Sequence, residues 1–145
     1  MSNAAGNDAA VALVVNIDVE DLGSAIRFYE EALGLRLKRR LFDDTVAELS
    51  GAATSVFLLK KAAGSLPSRS LAEVRSYRRH WTPVHLDFVV AALEPAVERA
   101  VQAGAKSEGP IQSFEWGRQA LMSDPFGNGF CLLQWTGGGY DTVAS

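Results

Sequence analysis

One apolar pattern occurs twice in this chain. Val14-Val15-Asn16-Ile17-Asp18 lines up with His85-Leu86-Asp87-Phe88-Val89, Ala25-Ile26 with Ala96-Val97, and Gly34, after a one-residue slip, with Gly104. Each copy opens on a strand-like run, passes into helical spacing and returns to short apolar runs. Few residues are identical between the copies, so the pattern carries the repeat. Such a chain is read as two similar strand–helix–three-strand halves.

In the first half, Ala10–Val19 is read as a strand with Val15, Ile17 and Val19 on the core face and Val14, Asn16 and Asp18 on the other. Asp21 caps a helix over Leu22–Leu33 whose stripe is Leu22, Ala25, Ile26, Tyr29, Ala32 and Leu33. Gly34 suits the left-handed position that ends it. Leu35–Phe42, Thr45–Leu49 and Ser55–Leu59 follow as strands, with turns at Asp43-Asp44 and Ser50-Gly51. Arg39 interrupts the apolar side of its strand and is a candidate to point into a cavity.

The second half runs from a strand at Pro83–Val90 to a helix over Leu93–Ala103. The helical stripe is Leu93, Ala96, Val97, Ala100 and Val101, and Pro95 lies in the first turn, where its missing N–H is harmless. Strands are read near Gly109–Phe114 and at Arg118–Ser123. The chain then turns at Asp124-Pro-Phe-Gly-Asn, where Pro125 fixes φ and glycines 127 and 129 permit positive φ. In the last strand Cys131, Leu133 and Trp135 share one face, and Phe130 and Leu132 the other.

The modules are placed at 10–60 and 83–136, with 61–82 as the connection and 1–9 and 137–145 as tails. The connection holds Gly64, Pro67 and several serines, then Arg69, Arg75, Arg78, Arg79 and His80. Ser70 and Glu73 have the spacing of a capping box, which would start a short helix. The arginines could admit an anionic substrate or form a solvated loop face, and the solvated face is preferred.

A length of 145 residues allows one compact domain with a sizeable core. The net charge of −3 argues against nucleic acid as the main partner. The single cysteine, Cys131, excludes an internal disulfide, and with no secretion signal or membrane-length apolar run the expected location is the cytoplasm. The chain has no Gly-rich phosphate loop, nucleophile elbow or CxxC pair.

The Asp124-Pro-Phe-Gly-Asn turn with its apolar strand resembles the C-terminal end of vicinal oxygen chelate proteins, the superfamily of glyoxalase I, extradiol dioxygenases and bleomycin-resistance proteins. Asp21-Leu22, Phe28-Tyr29, Leu33-Gly34-Leu35, His85 and Ala103-Gly104-Ala105 extend the resemblance over Leu13–Trp135. It implies an α+β fold of two βαβββ modules forming a curved mixed sheet around a cavity. It also implies a homodimer, because members often complete their sites across two subunits and edge strands need covering.

In the superfamily's metal enzymes, four side chains on the concave sheet hold a divalent ion, from the first and last strand of each half. The corresponding positions here are Val14, then Phe57 or Leu58 according to register, then His85 and Cys131. The first two cannot ligate, whereas imidazole and thiolate can, so the set is incomplete. Cofactor expectations are therefore none, or a weakly bound divalent metal on His85 and Cys131.

Asn16, Asp18 and Asp87 could supplement them, and Asp87 or Asp18 could orient His85 as a general base. The same His85 could equally be a hydrogen-bonded wall residue. Cys131 could be a small buried apolar residue, a nucleophile or a ligand, and no neighbouring cation in the sequence activates it. Trp116, Arg118, Trp81 and Tyr77 could wall a ligand pocket, with Arg118 forking onto an anion, or pack a strand edge.

Two functions follow. One is a bleomycin-resistance-like protein that binds a small molecule in the cavity. The other is a glyoxalase-like lyase or isomerase on a carbonyl substrate, using His85 with the nearby carboxylates Asp87 and Asp18 or with a divalent metal. In either case Asn16, Arg118, Trp116 and Cys131 are the candidate ligand contacts. A purely protein-binding subunit would have no cavity.

Overall fold

A computed structural model describes residues 10–145. The reading of residues 1–9 as a tail lies outside the described residues. The first half contains β1 (Val15–Val19), α1 (Leu22–Leu33), β2 (Arg36–Leu41), β3 (Val46–Ser50) and β4 (Val56–Lys60). The second contains β5 (Leu86–Val89), α2 (Leu93–Ala103), β6 (Lys106–Ser107), β7 (Gln112–Ser113), β8 (Gly117–Ser123) and β9 (Gly129–Trp135). A 3-10 turn, Gly139–Val143, follows.

The sheets are ordered β1-β4-β3-β2 and β5-β9-β8-β6, with β7 also pairing to β8. The outer strands β1 and β5 run parallel to β4 and β9, while the other pairs are antiparallel. Each half is therefore a βαβββ module, and in the second the outer strand is split into β6 and β7. The two sheets do not join, because β1 and β5 make no ladder with each other.

Alternation along the strands separates the faces. Ile17, Val19, Val56, Leu58, Ala47 and Leu49 face the core in the first sheet; Phe130, Leu132, Ala120 and Met122 do so in the second. The helices contribute Leu22, Ala25, Ile26, Phe28, Tyr29, Ala32, Leu93, Ala96 and Ala100 to the same apolar cluster. One core thus serves both halves.

The helix ends behave as their residues dictate. Asp21 accepts from the Ser24 N–H at 2.9 Å, and Gly34 closes α1 at φ 72°. Ala92 cannot cap α2 with its side chain, so Gln134 of β9 accepts from the Leu93 N–H at 2.7 Å. Phe28 is buried although it lies outside the expected stripe, and Val101 is exposed although it lies inside one.

Several expectations need correction. The first strand starts at Val15, since residues 11–14 stay exposed and unpaired in a sheet. The β5 strand starts at Leu86, so His85 sits just before it. No helix forms in 61–85, and the Ser70 N–H instead donates to Ser68 Oγ at 3.1 Å in a serine turn. A register shift between Leu37 and Arg39 breaks the alternation of β2. Among the described residues, no helix is long and apolar enough to cross a membrane.

The halves are joined by Asp124, which is 4 % exposed. Its carboxylate accepts from the Tyr29 hydroxyl of α1 at 2.6 Å, from the Phe126 and Asn128 N–H groups at 2.8 and 2.9 Å, and from Asn128 Nδ2 at 3.0 Å. Burial, with the negative Asp124 beside it, pushes the Tyr29 phenol well above its ordinary range. An unpaired buried charge is costly, so these bonds are mutually dependent. Tyr29→Phe is expected to cost about 1.5–3 kcal/mol, the range for a hydrogen bond to a charged group. Asp124→Ala is expected to cost more, because it orphans the Tyr29 hydroxyl and two backbone donors. Urea denaturation of the two variants checks the order.

Candidate functional site

The register of β5 against β9 places Asp87 opposite Cys131. His85 is two residues before Asp87, hence on the same face. The nitrogen, oxygen and sulfur donors of His85, Asp87 and Cys131 all lie within 4.8 Å of one another. His85 Nε2 is 3.2 Å from Asp87 Oδ1. Gln119 of β8 extends its Nε2 toward Cys131 Sγ at 3.5 Å. Cys131 is 6 % exposed, whereas the His85 side chain is 51 % exposed. Burial pushes the Cys131 thiol up, partly offset by the Gln119 hydrogen bond.

A cavity of about 320 Å³ lies between the β1 and β5 edges, lined by Asn16, Asp18, His80, His85, Asn128 and Phe130 among others. A smaller one of about 210 Å³ adjoins it over Cys131, Gln119, Leu121 and Trp81. His85, Thr82, Gly129 and Phe130 line both.

The first sheet offers a different surface. Asn16 pairs with Phe57, while Leu58 is fully buried in the core, so Phe57 is the counterpart of Cys131. Glu48, opposite Phe57 on β3, is buried at 1 % exposure and bound by Arg39 Nε at 2.6 Å and Ser55 Oγ at 3.3 Å. The Arg39 guanidinium holds the Glu48 carboxyl below its ordinary value. The sequence reading passed over Glu48; the cue was the cationic run Lys38-Arg39-Arg40, which needs an acid across the strand.

Asp18 does not meet His85. Arg75 Nε binds it at 2.7 Å and also donates through Nη1 to Ser65 Oγ and the Leu66 carbonyl. Asp87 is the carboxylate in contact with His85. Arg118 also lies away from the site. Alternation turns it to the face of β8 opposite Gln119, where it forks onto Glu94 of α2. Trp116 stacks on Phe114 and packs with Trp135 and Tyr140, an aromatic cluster at the far end of the sheet. Tyr77 hydrogen-bonds the Lys61 carbonyl, whereas Trp81 lines the smaller cavity together with His85 and Phe130.

The connecting segment passes over this site. Arg75 fastens it to β1, and Arg79 fastens it to Glu108 at 2.5 and 2.9 Å. Gly127 and Gly129 make room for it: a Cβ on Gly127 would lie 2.7 Å from the Tyr77 carbonyl oxygen, and one on Gly129 would meet the Arg79 guanidinium.

Comparison with a metal centre is direct. The positions Val14 and Phe57 supply no donor, so a four-ligand set drawn from both halves does not fit. Imidazole, carboxylate and thiol from β5 and β9 do fit a borderline-soft ion that keeps a position open.

A family model described as a glyoxalase-like domain matches residues 14–133. No curated protein matches the chain. Three solved structures share the fold. A glyoxalase/bleomycin resistance protein/dioxygenase family enzyme from Burkholderia phytofirmans PsJN has 20 % identity and TM-score 0.69, covering 85 % of this chain and 97 % of its own. A glyoxalase-related enzyme from Fulvimarina pelagi has 18 % identity and TM-score 0.67, covering 87 % and 88 %. The fosfomycin resistance protein FosX from Listeria monocytogenes has 17 % identity and TM-score 0.66, covering 88 % and 95 %.

The Arg79–Glu108 link of the connecting segment has a testable acid dependence. The hydrogen bonds from Arg79 hold the Glu108 carboxyl below its ordinary value of 4.5. A depressed carboxyl contributes stability that is full above the unfolded value and lost as pH falls through the folded one. Stability should therefore begin to fall near 4.5 and continue downward. Glu108→Gln should flatten that acid limb in urea midpoints measured across the range.

Proposed function

The chain belongs to the glyoxalase-like domain family, and on that premise we propose that it binds a small molecule in the cavity between its two halves. The observation that carries this reading is the paired cavity around His85. Its volume of about 320 Å³ is that of a small ligand site. Its wall combines the apolar Val84, Leu86, Phe88 and Phe130 with the polar Asn16, His80, His85 and Asn128. Apolar walls supply affinity and the few polar groups set orientation. The absence of donors at Val14 and Phe57 favours binding over the four-ligand metal chemistry of the superfamily's enzymes.

A glyoxalase-like lyase or isomerase is the second reading, favoured by the 3.2 Å contact of His85 with Asp87. In it Asp87 holds one ring nitrogen, so the other is left to take a proton from carbon beside a carbonyl. The protonated imidazole would return that proton to a neighbouring atom of the substrate. Asp18 is committed to Arg75 and takes no direct part.

A homodimer accompanies either reading. The β1 and β5 edges carry open backbone groups, and Val14, Val84 and Val89 beside them are at least half exposed. Light scattering on the purified chain should give twice the monomer mass.

Thermal-shift screening against small carbonyl compounds, thiol conjugates and natural-product antibiotics tests the binding reading. A hit should raise the melting temperature of the wild-type chain and not that of His85→Ala, whose own melting temperature should change little because the side chain is half exposed. A His85→Ala variant that responds as the wild type does would remove His85 from the site. Turnover of a carbonyl hit, lost in Asp87→Asn, would move the reading to the enzyme.

A further inference from the structure

We propose that His85, Asp87 and Cys131 form a one-sheet, sulfur-containing metal site that takes a zinc-like divalent ion without help from the first half. This goes beyond the binding reading: it uses the same cavity but does not depend on which small molecule enters it.

Three observations carry it. The first is register. Asp87 and Cys131 are direct cross-strand partners in the parallel β5–β9 pair, and His85 precedes Asp87 on the same face. The backbone ladder, not a mobile loop, thus spaces two of the three donors. The second is proximity: one nitrogen, one oxygen and one sulfur donor converge within 4.8 Å. Modest side-chain rotation brings such a group to bonding distance of about 2.0–2.3 Å from a common ion. The third is the state of Cys131. It is buried to 6 % exposure, Gln119 Nε2 lies 3.5 Å from its sulfur, and that sulfur is within 4.8 Å of the His85 and Asp87 donor atoms.

The first sheet cannot complete the set. Asp18 is taken by Arg75, Glu48 by Arg39 and Lys38, and the position opposite Asn16 is Phe57. An ion at His85 would therefore have three protein ligands and an open position facing the cavity. That arrangement holds a ligand molecule through the metal rather than enclosing the ion. Sulfur in the set selects zinc or cobalt over manganese or magnesium, which prefer oxygen. Binding displaces the Cys131 thiol proton to solvent, so one proton leaves for each ion bound.

Cobalt(II) titration of the full-length, metal-stripped chain tests this without any activity assay. The expected result is one cobalt per chain, a near-ultraviolet thiolate-to-cobalt charge-transfer band, and displacement by zinc but not by magnesium. Cys131→Ser should remove the band, and His85→Ala and Asp87→Asn should each weaken binding at least about tenfold. Glu48→Gln should leave affinity unchanged. Circular dichroism melts identify variants that unfold; if Cys131→Ser does, the two half-exposed positions carry the test. No cobalt uptake at millimolar metal, uptake without the band, or unchanged affinity in His85→Ala and Asp87→Asn would overturn the site. So would a loss of affinity in folded Glu48→Gln. Small-molecule hits on metal-free protein would keep the binding reading while this inference fell.

Discussion

The buried carboxylate of Asp124 is the contact on which the rest of the molecule depends. It belongs to the turn that launches the last strand of the second half, yet it accepts the hydroxyl of Tyr29 from the helix of the first. Its other oxygen gathers the Phe126 and Asn128 N–H groups that shape the turn. A charge buried so deeply is tolerated only while all these donors are present. Turn geometry, helix placement and the seam between the halves are therefore one coupled arrangement. Asn128, held by the same carboxylate, reaches on to the Asp18 carbonyl at 3.4 Å and so lines the cavity.

The two halves share a plan but have diverged in the chemistry of their cavity faces. In the first, both carboxylates on the strands are held by an arginine: Asp18 by Arg75 and Glu48 by Arg39. Those acids are structural, since an acid held by a guanidinium is poorly placed to ligate or to take a proton. In the second, the strand positions matching Val14, Asn16 and Phe57 carry His85, Asp87 and Cys131 with no arginine among their partners. The donors free of a guanidinium partner are thereby grouped on one sheet. The connecting segment, fastened at Arg75 to one half and at Arg79 to the other, narrows the approach to it.

Much of the fold was legible in the chain. The α1 boundaries, Asp21 as its cap, Gly34 as its end and the repetition of the module follow from local rules of spacing and backbone preference. Strand ends were less so: β1 and β5 begin later than their apolar runs, because pairing partners and not hydrophobicity decide where a ladder starts. The capping-box spacing of Ser70 and Glu73 has no helix behind it, since a cap cannot hold a helix without an apolar stripe to bury.

Residue chemistry by itself determined which groups could act: a histidine opening the second half, a carboxylate two residues on, a single thiol in the last strand, and apolar residues where first-half ligands would be. Which of them meet was decided only by the tertiary structure. Parallel register brought Asp87 to Cys131, whereas strand alternation turned Arg118 away to Glu94, and packing drew Trp116 into an aromatic cluster. Asp18 was claimed by an arginine far along the chain. Residue type and local spacing are properties of a segment, but pairing partners are chosen by competition among segments distant in sequence, and that competition is resolved only when the core closes.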